Sequence, residues 1–514
     1  MNNLSDKEKA LKKLSLEIDK DIQKLIIGTQ KCGLRELLYF LYYLHWLRLL
    51  HLFPRAQNED KTKLKLITNS TEESFRYLIS LISKFGQPNF LTKKNGEVEL
   101  LNDELVQALL NYAKLINSKF ETFSLIKLFD VQVSGERNQH LRIDMSKLET
   151  DPKIKSIFNY FLRTEIDNGI KKSTNTHHNI LIENFKKEYQ PLNDLFEIEL
   201  GVTVNEFCDL IDKLLLLVTN RLKLLEDELP KLENGNVNIQ HPLTFVKFSN
   251  CYLFEKKSFF KNFDKKFHKV IDRLLFEPSE FDEKELRFHS VTRKPLISLN
   301  EMIIISPELL LDGLFTNIHY SLIESKNIKQ EYIKKKSDAF IDEILEVAKE
   351  FGFEEVVREL DLYEGKNQIG DLDLILKGAN GDYLIIEAKN HALPLEVYFN
   401  DFDATLRHLE YLKEKWESKV IKRIKHLELK YSNYSITKNH LYIVVSLFPE
   451  VISHFSDLMI LSIAEFKMWL DRTDYPTDFN SFYSDYSKKR SKFSKEEVDS
   501  LTKENLFFGE FRKE

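Results

Sequence analysis

The chain has 514 residues, 42% of them hydrophobic and 30% charged, with a formal charge of −6 at pH 7. That length and composition suit two or three domains with sizeable cores and exclude a disordered or fibrous chain. The acidic balance excludes a uniformly basic nucleic-acid coat, so any contact with nucleic acid must come from local basic patches.

Met1–Lys20 is charged throughout and lacks the apolar stretch of a secretion signal. Within it begins a helix expected over Ser5–Leu25, because Leu11, Leu14, Ile18, Ile22 and Leu25 recur at three- and four-residue steps. Leu37–Phe53 comes nearest to a membrane span, but His45, Arg48 and His51 interrupt it. Since arginine is costly inside a bilayer, we expect a buried core or interface helix and no membrane attachment. His177 and His178 lie in a polar stretch with no second ligand pair at zinc spacing, which points to a surface loop. A longer amphipathic helix is expected over Asn205–Leu229, ended by Pro230 and the Asn234-Gly235-Asn236 run. Cys32, Cys208 and Cys251 are too scattered for a CxxC site or a disulfide framework, which points to a reducing compartment, the cytoplasm.

Lys294–Ile323 predicts two short strands around Asn300-Glu301 and then an amphipathic helix opening at Pro307. The polar, lysine-rich Glu324–Lys336 segment reads as a linker, and Ser337–Phe353 as the first helix of a new domain. The expected organisation is a mainly α-helical N-terminal region over 1–290, serving sensing, docking or oligomerisation. It is followed by a connecting strand–helix segment over 291–333, a domain over 334–475 and a charged tail over 476–514.

The most informative stretch is Ile369–Asn390, IGDLDLILKGANGDYLIIEAKN. It reads as two apolar strands joined by a Gly-Ala-Asn-Gly turn, with Asp371 and Asp373 on the first and Glu387 and Lys389 on the second. Each pair occupies alternate positions, which predicts one face for each pair. The unbroken apolar run Tyr383–Ile386 predicts a strand buried on both faces, and a buried strand that ends in Glu and Lys needs a reason for them. Hydrolysis of a phosphodiester supplies one. It requires neutralising charge on a pentacoordinate phosphorus and generating hydroxide near neutral pH, which a hard divalent cation held by carboxylates accomplishes. Asp373 and Glu387 would hold Mg²⁺ or Mn²⁺, Asp371 would act as auxiliary ligand or outer-shell base, and Lys389 would orient water or stabilise the developing charge. The alternative is an exposed hairpin with solvated charges.

These residues resemble the PD-(D/E)XK, or restriction-endonuclease-like, nuclease superfamily, whose pattern of a strand Asp followed by a strand Glu-X-Lys matches Asp373 and Glu387-Ala388-Lys389. The resemblance spans roughly Lys334–Leu470 and implies an α/β core, a central mixed sheet flanked by helices. It also implies an acid on the preceding helix. The Phe-Glu pair common in the family reads Phe340-Ile341 here, leaving Glu343 as the candidate third ligand. Where some subfamilies carry Gln and Tyr one helical turn apart, this chain has Arg407 and Tyr411.

After the site, Leu406–Tyr434 interleaves basic and aromatic residues, and Lys415, Lys419, Lys422, His426 and Lys430 recur at helical spacing. We expect this stripe, with Arg407 and Arg423, to contact a phosphate backbone; a solvated helix balanced by Glu410, Glu414, Glu417 and Glu428 is the bland alternative. His391 lies close enough in sequence to Lys389 to reach a scissile phosphate, but a loop or hydrogen-bonded histidine is the commoner reading. The expected function is therefore a metal-dependent endonuclease acting on nucleic acid, DNA in the first instance, in defence against foreign DNA. A homodimer or higher oligomer and a regulatory partner protein are compatible with it. The alternative is an inactive nuclease-like binding or scaffolding protein.

Overall fold

The computed structural model describes residues 5–49, 61–87, 103–134, 140–161, 178–283, 286, 290–379, 381–390, 395–398 and 401–471. His391 and the charged C-terminal tail lie outside them. The chain is mostly helical, with mixed sheets, and forms two compact units. One comprises the described residues within Lys13–Thr122 and Asp167–Ile333; the other, those within Met1–Lys12, Phe123–Ile166 and Lys334–Glu514. The second unit thus recruits a stretch from far upstream, which a reading by consecutive segments does not anticipate.

In the first unit, α1 (Asp6–Thr29), α2 (Leu34–Arg48), α3 (Lys61–Phe85), α4 (Asp103–Leu128) and α5 (Val204–Leu225) supply most of the helix, α1 and α4 running on into the other unit. The leucine periodicity of α5 buries Leu210 and Leu214 beside a packed aromatic cluster, with Phe185 and Phe207 ring centroids 5.3 Å apart. Helix α2 buries Leu37, Leu38, Phe40, Leu41 and Leu44, and no helix among the described residues is long and apolar enough to cross a membrane. All three cysteines are free and buried.

After β1 (Asp130–Ser134), β2 (His140–Asp144), β3 (Leu253–Glu255) and β4 (Leu275–Phe276), the expected strands flank Asn300 as β5 (Leu296–Leu299) and β6 (Met302–Ile305), an antiparallel pair whose turn holds Asn300 at φ +54°. Helix α6 (Pro307–Ile323) follows, with Ser306 Oγ accepting from the Leu309 N–H. Four charges are buried together in this unit. Arg48 donates to Asp312 at 2.8 Å and to Glu72 at 2.9 Å, and Arg76 donates to the same two carboxylates at 2.7 and 3.1 Å.

The second unit is built on a five-stranded mixed sheet. Its strands β7 (Glu354–Glu364), β8 (Asn367–Lys377) and β9 (Tyr383–Lys389) run antiparallel in sequence. Strands β10 (His440–Ser446) and β11 (Ile460–Ser462) then add parallel to β9 and to each other, giving the order β11-β10-β9-β8-β7. Parallel addition requires a crossover. It is made by α8 (Phe402–Tyr411), one wider π-type turn (Leu412–Glu417) and α9 (Ser418–Lys430).

The period-two alternation of β9 is read out on both faces of the sheet. Leu384 and Ile386 pack with Leu374, Leu376, Ile443 and Val445 against α7 (Lys329–Glu350) and α10 (Ile463–Leu470), through Phe340, Ile344, Phe466 and Trp469. Tyr383 and Ile385 face the other way, with Ile375, Leu427 and Ile436. The upstream Phe129, Ile157 and Phe158 join Val420, Val444 and Ile460 in a third cluster, which explains why that stretch belongs to this unit. Helix α7 starts at Lys329, so most of the segment expected as a linker is helix.

Candidate active site

The site forms where two neighbouring strands part. The β8–β9 ladder runs from Lys377↔Tyr383 to Leu374↔Ile386 and stops, although β8 continues to pair with β7. Leu372 and Leu374 are two residues apart yet join different cores, which marks the place where β8 turns away from β9. The parting leaves the Ala388 N–H without a ladder partner, and a buried orphan amide must find another acceptor. The Asp373 carboxylate takes it, with Oδ2 at 2.7 Å. The expectation that Asp371 and Asp373 share a face therefore holds only loosely: Asp371 is exposed, whereas Asp373 is drawn in between the strands.

Glu387 is 6% exposed. Its Oε2 accepts from the Tyr442 hydroxyl at 2.8 Å and from Arg423 Nη1. Arg423 Nη1 also donates to the Asp371 carbonyl at 3.0 Å. The guanidinium reaches this position because residue 370 is glycine: a Cβ there would lie 2.6 Å from Arg423 Nε, and Gly370 has φ +145°, which L side chains avoid. Lys389 Nζ lies 4.2 Å from the centre of the Trp416 ring, a cation–π distance.

Electrostatics couple these groups. Burial and the neighbouring Glu387 charge push the Asp373 carboxyl up to about 7 against the pull of the Ala388 N–H. Burial also raises Glu387, opposed by Arg423 and the Tyr442 hydroxyl. Burial lowers the Lys389 ammonium to about 8, opposed by Glu450 and Glu387. Asp373, Glu387 and Lys389 thus sense one another's charge, and among the described residues the hydrogen bonds to the two carboxylates fall on Oδ2 of Asp373 and Oε2 of Glu387. Two hard carboxylate oxygens suit Mg²⁺ or Mn²⁺ rather than a thiolate- or imidazole-seeking ion, and Mg²⁺ keeps several waters of its own.

Glu343 does not join them. It is exposed, on a helix that packs against the opposite sheet face from Tyr442 and α9, so the third ligand expected from the resemblance is corrected. Among the described residues no group of three or more His, Cys, Asp or Glu could hold a metal ion.

The basic stripe is also altered. Lys415, Lys419 and Lys422 are exposed, as is Arg407, but His426 turns inward and pairs with the Tyr434 hydroxyl at 2.8 Å. Arg423, expected on phosphate, turns to Glu387 with only 12% of its side chain exposed. The amphipathic phase of α9 sets both, burying Val420 and Leu427 and thereby pulling the adjoining faces inward. Tyr442 and Glu450 escaped the sequence reading, and Trp416 entered it only as one of the aromatic residues interleaved with the basic stripe. Gly370 alone offered a signal, as a glycine beside two acids where another group approaches closely. Compared with known proteins, the chain matches no family model, no curated protein and no solved structure.

Proposed function

We propose that the second unit is a metal-dependent phosphodiesterase acting on nucleic acid, DNA in the first instance. One observation carries this: a buried carboxylate and a half-buried one, each with its carboxyl raised, meet beside a half-buried lysine at the end of a parted strand pair. Such an arrangement costs folding free energy unless a ligand repays it.

Asp373 and Glu387 would hold the ion. When bound, a hard divalent cation neutralises phosphate charge and lowers the pKa of water. Lys389, fixed by Trp416, donates to the attacking water or to a phosphoryl oxygen. Lys415, Lys419, Lys422 and Arg407 supply exposed positive charge along the crossover helices to track a phosphate backbone. A role in defence against foreign DNA and action as a dimer on duplex belong to the same proposal; two cuts by a one-site chain call for two copies.

The exposed position of Glu343 favours a second reading, an inactive nuclease-like binding module. The deciding experiment incubates wild type and Lys389→Ala with plasmid, linear duplex, single-stranded DNA and RNA, in Mg²⁺, Mn²⁺ and EDTA. Metal-dependent cutting by wild type alone supports the enzyme. Metal binding and nucleic-acid binding with no cutting of any substrate supports the binding module.

A further inference from the structure

Lys389 faces an acid that stands apart from the two strand carboxylates. Glu450, Glu387 and Asp373 all attract its half-buried ammonium, Arg423 repels it, and the pull of Glu450 is the strongest of these. Glu450 is 6% exposed, and its Oε2 stands 3.8 Å from His408 Nε2 on α8. A carboxylate buried to that degree is costly unless a cation faces it.

The fold builds this contact from two directions. Strand β10 lies parallel to β9 with Ser446 opposite Lys389, and the Leu447 N–H donates to the Lys389 carbonyl at 3.2 Å. The Ser446 hydroxyl then donates to the Phe448 carbonyl at 2.7 Å, tightening the turn that leads to Glu450. Directly after Glu450, the short helical turn Val451–His454 buries Val451 and Ile452 in the cluster against which Trp416 packs. The ring 4.2 Å from the ammonium and the carboxylate facing it are therefore anchored in one core. A divalent ion held by Asp373 and Glu387 would offset the attraction of those two carboxylates for Lys389 and add its own repulsion to that of Arg423. Glu450 is the attraction that such an ion leaves in place.

Resting on the metal-site reading above, we infer that Glu450 is a positioning residue which, together with Trp416, holds the Lys389 ammonium at the site when a cation engages Asp373 and Glu387. It acts through Lys389 alone.

The test is a pair of double-mutant cycles on the full chain, with Glu450→Gln, Lys389→Met and the double variant. In EDTA, thermal unfolding reads the contact without metal or turnover: each single variant lowers Tm, and the double variant loses clearly less than the sum of the two. With Mn²⁺ and a cleaved substrate, Glu450→Gln lowers kcat by about 10- to 100-fold with KM and Mn²⁺ affinity little changed, loses nothing further in the Lys389→Met background, and Glu450→Asp recovers part of the rate. A merely structural role would give additive losses in both cycles. Additive Tm losses, or an unchanged kcat in Glu450→Gln, overturn the inference and leave the metal site standing. No cutting by wild type overturns the nuclease reading instead, and the cycle in EDTA then decides by itself whether Glu450 holds Lys389.

Discussion

Both units bury charge, and they do so to opposite ends. In the helical unit Arg48 and Arg76 meet Glu72 and Asp312 in equal number, and each guanidinium bonds to both carboxylates. In the sheet unit Asp373 is pushed up to about 7, and the single strong cation at Glu387 reaches only one of its oxygens. A balanced buried cluster ties helices α2, α3 and α6 together. The second is less evenly hydrogen-bonded, and burial raises both of its carboxyls, a cost that a bound cation would offset under the proposed function. Buried charge alone therefore does not mark a candidate site; a carboxyl that burial raises is what singles out the second cluster.

That contrast can be broken at several points. Removing a carboxylate at the unbalanced site has the largest expected effect: Asp373→Ala or Glu387→Ala abolishes Mn²⁺ binding and lowers cleavage by about 10³-fold or more. Undiminished cleavage by Asp373→Ala, purified free of contaminating nucleases, would end the assignment. Lys389→Ala should keep Mn²⁺ binding while reducing turnover by about 10²- to 10⁴-fold, seen as a fall in kcat with little change in metal affinity.

In the balanced cluster, Arg76→Ala leaves two buried carboxylates to share Arg48 alone and should cost about 3–5 kcal/mol in denaturant unfolding, with no direct effect on Mn²⁺ affinity. The opposite sign is expected at Asp373→Asn, which removes an uncompensated charge and should stabilise the metal-free chain by about 1–3 kcal/mol at pH 8. The sign follows from linkage. The Asp373 carboxyl ionises near its ordinary value in the unfolded chain and near 7 in the folded one. Its stabilising contribution is therefore complete at low pH and is lost as pH rises from the ordinary carboxylate range through about 7. The advantage of Asn should accordingly shrink toward pH 4. For the same reason Mn²⁺ affinity should climb as pH passes through 7, because the ion requires the carboxylate.

The smallest effect belongs to the surface. Replacing Lys415, Lys419 and Lys422 with Ala should flatten the dependence of log K on log salt by about 2–3 for duplex DNA without altering Mn²⁺ binding. An unchanged salt slope would remove this face from the proposed contact surface.

Local pattern carried much of this molecule. The leucine spacing of α1 and α5, the β5–β6 turn at Asn300, the entry of α6 at Pro307, and the doubly buried β9 all follow from periodicity, turn chemistry and helix entry signals, which act over a few residues. So did the candidate acids and lysine, because charges at the end of an apolar strand are conspicuous in one dimension. What local pattern did not carry depends on which elements meet. Glu343 has the right chemistry on a helix that lies on the wrong face of the sheet. Arg423 and His426 sit at positions that spacing assigns to solvent, but α9 turns them inward when it buries Val420 and Leu427. Tyr442 gains its role from parallel pairing with β9, more than 50 residues away in the chain, and the upstream Phe123–Ile166 stretch joins the sheet unit through contacts of still longer range. The sequence alone determined the helical periods, the strand pair and the chemistry at its end. The tertiary structure decided which charges are compensated, because compensation depends on distances between residues that only folding brings together.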